Sequence, residues 1–391
     1  MASEIPFVNS RQDLALLRET HGDVEIVRVS LLAARNLSRE DLAGFRLWLD
    51  PCVDGLLRKE SEQSDALKAV LARGGEYQRL QDEGFVQHPD KGTVGSFVFR
   101  MLDACAALEP AIVSVPQLPH VTGTAHNRLN HVLAEAARRW AEQGGFGGRL
   151  VLPVILTGKS QYMLKKHRDN VANVAVRGLE LSGSAGLWFV DSGLQDQLGQ
   201  GDFTERFARL ADLHREVLGR VPERPEMVVT GPFWCLSLVL WSQGLASHVA
   251  TGLGGSYQYH LPGLAHIRTP KVRIALEPLR RTAVAGPSLR NWLEESLSRL
   301  KEDEGARSSL AGCLRDWELL QSSAAARTQV AGFHRRWCRE LEAAEAHKRG
   351  LRLYRMLSDS YVLGRRLPEI EGEGPARRPE QVAMQHMLNC L

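Results

Sequence analysis

Short apolar segments recur through the first three quarters of the chain, and each is followed by residues whose apolar positions have helical spacing. Most of these segments end in a small or polar residue, as strands do before a turn. Strands that alternate with helices in this way predict parallel βαβ units. The segments are FRLWLDP (45–51), AIVSVP (111–116), RLVLPVILTG (149–158), GLWFVDSG (186–193), EMVVTG (226–231), SHVATGLGG (247–255) and KVRIALEP (271–278).

The intervening stretches predict helices near residues 12–20, 61–80, 96–108, 125–143, 160–176, 203–218 and 233–243. Seven or eight strands over roughly 240 residues fit an α/β fold of the closed (β/α)8 type, the TIM barrel. The alternative is an open doubly wound sheet, although no GxGxxG follows an early strand. An earlier apolar run, VEIVRVSLLAA (24–34), fits either a lead-in strand or a helix, because periodicity does not separate the two in so short a run.

The pattern changes after Ala285-Gly286-Pro287, where strand-like segments stop. Residues 288–362 have apolar positions at i, i+3, i+4 and i+7, which predicts three amphipathic helices packed on the barrel or on a partner. A polar stretch with Gly and Pro, 369–380, then precedes a short apolar end. The predicted units are an N-terminal lead-in (1–44), a barrel-like domain (45–286), a helical region (287–365), and a linker with a C-terminal tail (366–391).

Composition narrows the class of protein without naming a reaction. The chain has 391 residues, 43% of them apolar, which is enough for a sizeable core. Its net charge of +3 does not favour sequence-independent nucleic-acid binding, yet leaves that possibility open. The six cysteines are scattered, and neither a signal peptide nor an 18-residue apolar run is present. These features predict a cytoplasmic protein without a membrane span.

A glycine-rich segment after a buried strand, TGLGGSYQYHLPG (251–263), is the strongest local candidate for ligand binding. Glycines there let backbone N–H groups approach an anion, and late barrel strands commonly form phosphate sites in this way. The alternative is a tight turn that uses glycine for its conformation. The candidate ligand-binding residues are Gly252, Gly254, Gly255, Ser256 and Tyr257.

Two carboxylates and one lysine are the candidate catalytic residues. Asp50 and Asp191 each end a predicted strand, where carboxylates can divide acid and base roles, or can bond backbone N–H groups of the next loop. Lys159 follows another strand and would bind phosphate, or form a Schiff base if buried. The segment around it lacks the first glycine of GxxxxGK[ST], so it is no P-loop.

Gln117 and His120, after the AIVSVP segment, are candidates for hydrogen bonding to a substrate. No HExxH, CxxC or HxH pattern occurs, so no metal ligand and no cofactor are assigned. A metal site assembled from the distant strand ends, for example from His120, Asp50 and Asp191, is the alternative. Cys52 and Cys235 are expected to lie in apolar surroundings, which would raise the pKa of a thiol rather than activate it.

The sequence therefore predicts a barrel whose strand ends bind a small anionic ligand, phosphorylated or nucleotide-like, with hydrolase or lyase activity as the matching chemistry. The alternative is a non-catalytic interaction subunit, in which the C-terminal helices bind a protein partner or form a homo-oligomer. Both hypotheses depend on the strand ends or the helices, and neither identifies a substrate.

Overall fold

The computed structural model describes residues 3–52, 88–120, 125–192, 194, 203–233, 235–253, 272–301, 305–370 and 388–389. Eight parallel strands form a closed barrel, with each strand hydrogen-bonded to the next in the sequence and β8 to β1. The predicted TIM-barrel-like fold is therefore confirmed, and the open doubly wound sheet is excluded. The strands are β1 (Glu4–Val8), β2 (Ile26–Ser30), β3 (Arg46–Asp50), β4 (Ile112–Ser114), β5 (Arg149–Leu156), β6 (Gly186–Asp191), β7 (Met227–Thr230) and β8 (His248–Gly252).

The first two barrel strands come from the segment that was expected to lead into the barrel. The run left open between strand and helix contains both, because β2 is followed directly by a short helix, Leu31–Ala34. The prediction that KVRIALEP continues the parallel alternation was wrong. Its residues Arg273–Leu276 (β9) pair antiparallel with Arg281–Val284 (β10) in a separate two-stranded sheet. A four-residue connection allows a hairpin, whereas a parallel crossover needs a dozen residues or more.

Helices cover the outside of the barrel in the positions that the apolar spacing predicts, apart from 61–80, which lies outside the described residues. Several begin with a side-chain cap, as Ser10 accepts a hydrogen bond from the Asp13 N–H. Within the described part of the chain before residue 280, the α-helices are α1 (Arg11–Thr20), α2 (Leu31–Ala34), α3 (Arg39–Leu42), α4 (Lys91–Ala106), α5 (Ala125–Gly144), α6 (Lys165–Ser182), α7 (Phe203–Arg220) and α8 (Leu236–Ser242).

Two layers of apolar side chains hold the barrel together. One fills the interior and includes Phe7, Trp48 and Trp188, while a larger one lies between the strands and the surrounding helices. Neighbouring residues on β6 alternate between these layers, since Val190 belongs to the interior and Phe189 to the outer layer. A residue's layer therefore tells which face of the barrel wall its side chain occupies.

The C-terminal helical region packs on the barrel. Phe333 and Trp337 belong to the same buried cluster as the helix-covered side of the barrel, and Leu353 joins them from the last long helix. The region contains more helices than the three predicted: α9 (Pro287–Arg299), α10 (Gly305–Arg315), α11 (Trp317–Leu320), α12 (Ser323–Glu342) and α13 (Arg349–Arg366). Among the described helices, none has the length and apolar character to span a bilayer.

Candidate functional site at the barrel mouth

The two ends of the barrel differ in the length of their connections. At the amino ends of the strands, the seven links from a helix to the next strand contain three to six residues each. At the carboxyl ends, which we call the barrel mouth, 40 residues separate β3 from α4, 11 separate β6 from α7 and 20 separate β8 from β9. The connections that leave the carboxyl ends of the strands are where barrel enzymes carry their functional residues.

Three aromatic rings form a packed layer across the barrel interior. Phe7, Trp48 and Trp188 contact one another edge to face, with ring centroids 5.4 to 6.3 Å apart. The Trp48 indole N–H donates to Ser114 Oγ over 2.9 Å, and the Trp188 indole N–H donates to the Gly231 carbonyl over 2.7 Å. Both buried N–H groups are thereby satisfied, as buried indoles require.

A charged cluster of Arg28, Asp50 and Cys52 lies on this aromatic layer, toward the barrel mouth. Arg28 is in register with Phe7 and Trp48, so it faces the interior, and its guanidinium lies 4.4 Å from the Phe7 ring centroid. It donates from Nη2 to Asp50 Oδ2, and the same nitrogen lies 3.1 Å from Cys52 Sγ. The side chains of Arg28 and Asp50 are only 5% and 6% exposed.

Cys52 has a backbone conformation that is uncommon for a residue with a side chain. Its φ is +53°, in the left-handed region, which costs roughly 1–2 kcal/mol for an L-residue. Its N–H donates to Asp50 Oδ1 over 3.1 Å and its thiol to Asp50 Oδ2 over 3.3 Å. The strained backbone thus places the thiol against both charged groups. The expectation that Cys52 has apolar surroundings was wrong.

Asp191 belongs to a different cluster, on the outer face of β6. It is in register with Leu156, an outer-layer residue, and its side chain is fully buried. Arg206 Nη2 donates to both carboxylate oxygens over 2.9 Å, and the Tyr162 hydroxyl donates to Oδ2 over 2.5 Å. The structure therefore places Asp50 and Asp191 on opposite faces of the barrel wall.

The pKa values of this outer cluster follow from its burial and charges. Burial and the neighbouring Asp191 carboxylate raise the pKa of Tyr162 well above 10, so its hydroxyl remains a proton donor. Burial acts to lower the pKa of Arg206, but Asp191 and Tyr162 outweigh it and the pKa rises. The cluster joins the end of β6 to α7 and to the segment before α6.

Gln117 and His120 lie in the buried connection after β4. Gln117 Nε2 donates to the carbonyls of Pro116 and Asn130, over 2.8 and 3.1 Å. Asn130, on α5, bonds both the N–H and the carbonyl of Leu118 and so fixes this connection. His120 Nδ1 is buried without a hydrogen-bond partner among the described residues. Burial, with a smaller contribution from His131, lowers the pKa of His120 to about 4.

The remaining candidates are placed only in part. Lys159 begins a short 3-10 helix after β5 and is exposed, so it lacks the burial that a Schiff-base lysine needs. Gly252 ends β8 in register with Phe7 and is buried at the barrel mouth. The other proposed ligand-binding residues lie outside the described residues, namely Gly254, Gly255, Ser256 and Tyr257.

Sequence reasoning missed Arg28 and Cys52, which the structure brings to Asp50. The signal for Arg28 was present, because a single arginine interrupts the apolar run EIVRVS and a buried charge needs a partner. The cluster offers a fork of N–H donors, a carboxylate and a thiol within one hydrogen-bonded group. Comparison with known proteins adds no assignment: no family model matches the chain, and no curated protein matches it significantly.

Proposed function

We infer that the barrel mouth binds a small anionic molecule, phosphorylated or nucleotide-like, at the cluster of Arg28, Asp50 and Cys52. The observation that carries this inference is the buried ion pair on the interior face of the barrel wall. A buried pair contributes little net stability compared with apolar residues of the same volume. A role in binding or chemistry accounts for its position better than stability does.

Two further observations support a site at this end. Cys52 has a strained backbone, and strain of this kind concentrates at functional sites. The long connections after β3, β6 and β8 all start from the barrel mouth, whereas the opposite end has only short links. In open and closed α/β folds alike, ligands bind at the carboxyl ends of the strands.

The charges favour an anionic group on the ligand. The planar guanidinium of Arg28 matches phosphate and carboxylate oxygens in a bidentate manner, and Phe7 and Trp188 hold its plane. Lys159, exposed after β5 at the same end of the barrel, would add a second positive charge. The carboxylate of Asp50 then lies beside the bound group, where it serves as the acid or base in a hydrolase or lyase reaction. Asp191 acts on this site only by positioning β6.

A thermal-shift screen with inorganic phosphate, pyrophosphate and nucleotides tests the binding. A ligand present at 100 times its Kd stabilises the folded chain by about 2.7 kcal/mol. We expect at least one compound to raise the Tm of the wild type, and expect Arg28→Lys to lose that rise, because lysine lacks the bidentate fork. Arg177→Lys, on the exposed face of α6, is the matched control and should respond as the wild type does.

The catalytic part has a separate test. For the compound that binds, Asp50→Asn keeps the size of the side chain and removes its basicity, so turnover should fall while binding persists. Equal thermal shifts in wild type and Arg28→Lys would refute the binding site. Unchanged turnover in Asp50→Asn would refute only the chemistry.

A second candidate function is supported by a surface on α13. Leu351, Tyr354 and Val362 lie on one face of this helix and are 54%, 46% and 60% exposed. Large exposed side chains on one face of a helix favour a protein contact, which fits the interaction subunit. Light scattering of the wild type and of the Leu351→Glu variant tests self-association through this surface. A wild-type oligomer that becomes a monomer in the variant supports this function. Monomers in both the wild type and the variant refute self-association.

A further inference from the structure

A second polar cluster is buried at the opposite end of the barrel, where β1 begins. It contains Glu4 at the start of β1, His21 just after α1, and His334 with Cys338 one turn apart on α12. All four are between 0% and 2% exposed. Glu4 and His334 are 330 residues apart in the sequence, so no single local motif contains the cluster.

The potential ligand atoms of this cluster converge. His334 Nδ1 lies 3.0 Å from Glu4 Oε1, and His21 Nε2 lies 3.4 Å from the same oxygen. Cys338 Sγ lies 3.6 Å from His334 Nδ1. The ligand atoms of Glu4, His334 and Cys338 all fall within 4.8 Å of one another.

These separations match the edges of a tetrahedral zinc site. With Zn–N and Zn–O bonds of about 2.0–2.1 Å and Zn–S of about 2.3 Å, tetrahedral angles place two N or O ligands about 3.3 Å apart. The same geometry places N and S about 3.6 Å apart. The 3.0 and 3.6 Å separations among Glu4, His334 and Cys338 match these edges. His21 approaches only Glu4, at 3.4 Å, so its ring must move toward His334 and Cys338 to complete the set.

His21 carries the independent signal for a cation. The Thr20 hydroxyl donates to the Leu16 carbonyl over 2.7 Å, so its oxygen must accept from His21 Nδ1–H, 2.6 Å away. In a neutral imidazole the other nitrogen, Nε2, then carries a lone pair. That lone pair is buried without a hydrogen-bond partner and lies beside a carboxylate oxygen. Two acceptors in this position are satisfied by a cation between them, which either a proton or a metal ion supplies.

The surroundings complete the ligand set. Arg335 Nη1 donates to Glu4 Oε2 over 3.2 Å, which leaves Oε1 for the cluster, while Thr20 orients His21 as outer partners of metal ligands do. Burial and Glu4 raise the pKa of the Cys338 thiol well above 9, and a bound zinc ion would reverse this by binding the thiolate.

The charges balance when the ion is included. Asp23 and Glu342 pair with Arg335, and Asp23 also pairs with Arg339, so these four charges cancel. Glu4 and the Cys338 thiolate then supply two negative charges, which a divalent ion neutralises in a fully buried site. A histidine, glutamate and cysteine donor set suits zinc among the divalent metals.

We propose that Glu4, His21, His334 and Cys338 bind one zinc ion, which joins β1 and α1 to α12. When His21 moves in as the fourth ligand, no coordination position stays open, so the site is structural rather than catalytic. It lies at the amino ends of the strands, away from the barrel mouth, and is independent of the function proposed there.

Metal analysis of the tag-free full-length chain is the first test. We expect one zinc ion per chain in the wild type, and loss of that zinc in Cys338→Ser and in His21→Gln. Cys105→Ser, which changes another fully buried cysteine on α4, is the matched control and should retain the ion. Equal zinc content in Cys338→Ser and the wild type would overturn the assignment, as would a zinc-free wild type that binds none on addition.

Cobalt substitution keeps the proposal falsifiable if a variant folds poorly. The wild type is unfolded with chelator and refolded with Co²⁺, and a tetrahedral site gives intense visible bands with a thiolate-to-cobalt charge-transfer band. In Glu4→Gln the charge-transfer band should persist, because the thiolate remains, while in Cys338→Ser it should vanish. Octahedral cobalt spectra, or no uptake by the refolded wild type, would overturn the proposal.

Discussion

The cluster of Asp191, Tyr162 and Arg206 gives the sharpest prediction on stability. Asp191→Asn keeps the shape of the side chain but removes the charge that Arg206 faces through two hydrogen bonds of 2.9 Å. The Arg206 side chain is 3% exposed, so water cannot replace the lost carboxylate. We therefore expect a large loss of stability from a change of a few atoms.

The magnitude follows from the burial of the pair. Removing one partner of a buried ion pair typically costs about 3–5 kcal/mol, because the other charge is left uncompensated. A triple variant, Asp191→Leu with Arg206→Met and Tyr162→Phe, removes every polar member of the cluster together. Replacing a whole buried pair by apolar residues of similar volume is often neutral. The triple variant should therefore lie within about 2 kcal/mol of the wild type.

Urea unfolding followed by circular dichroism measures both free energies of unfolding. We expect Asp191→Asn to lose more stability than the triple variant, by at least about 1 kcal/mol. A loss below about 1 kcal/mol in Asp191→Asn would show that water reaches Arg206, and would refute the reasoning from burial. Such a result, combined with lost turnover of a bound compound, would instead favour the catalytic role first expected for Asp191.

Three further predictions concern single positions. Burial lowers the pKa of His214 to about 4, against about 6.5 in the unfolded chain. The contribution of the neutral His214 to the free energy of unfolding should therefore be fully present above pH 6.5 and be lost as the pH falls from 6.5 to 4. In urea titrations, His214→Gln should reduce this pH dependence by up to about 1.4 kcal/mol per pH unit. Gly186→Ala should lower the free energy of unfolding by about 1–3 kcal/mol in thermal unfolding, because the new Cβ would lie 2.7 Å from a backbone oxygen of the next strand. Gly147→Ala is the control and should leave the stability unchanged, because no atom lies within 4 Å of the new Cβ. Asn130→Ala should cost about 1–3 kcal/mol, because it leaves the backbone N–H of Leu118 unpaired, and an intact Tm in the variant would contradict this.

The barrel was predictable because its strands are buried on both faces. Parallel strands covered by helices are continuous apolar runs, and six of the runs singled out from the sequence are barrel strands. The same continuity hides the orientation of each residue. GLWFVD contains no polar alternation, so nothing in the sequence indicated that Asp191 faces outward while Val190 faces inward.

The sequence predictions for the first strands and for the hairpin failed for different reasons. Glu4–Val8 is only five residues long and contains Pro6, which weakens any strand prediction. KVRIALEP has the composition of a barrel strand, but its partner is the adjacent RTAV segment, and single-sequence patterns do not encode which strand pairs with which.

The candidate sites depended on contacts between distant residues. Asp50 could be singled out by its place at a strand end, but its partner Arg28 lies in the preceding strand, 22 residues earlier. The cluster of Glu4, His21, His334 and Cys338 joins the first strand and helix to α12, and within it only His334 and Cys338 are close in the sequence. Such clusters become visible only when the barrel closes and α12 packs against β1.

The most direct measurement of the central claim is a crystal of the full chain soaked in tungstate, a phosphate analogue located by its anomalous scattering. Binding at the barrel mouth predicts a tungstate peak within hydrogen-bond distance of the Arg28 guanidinium, absent in crystals of Arg28→Lys. Peaks confined to exposed lysines and arginines, with none beside Arg28, Asp50 and Cys52, would contradict it.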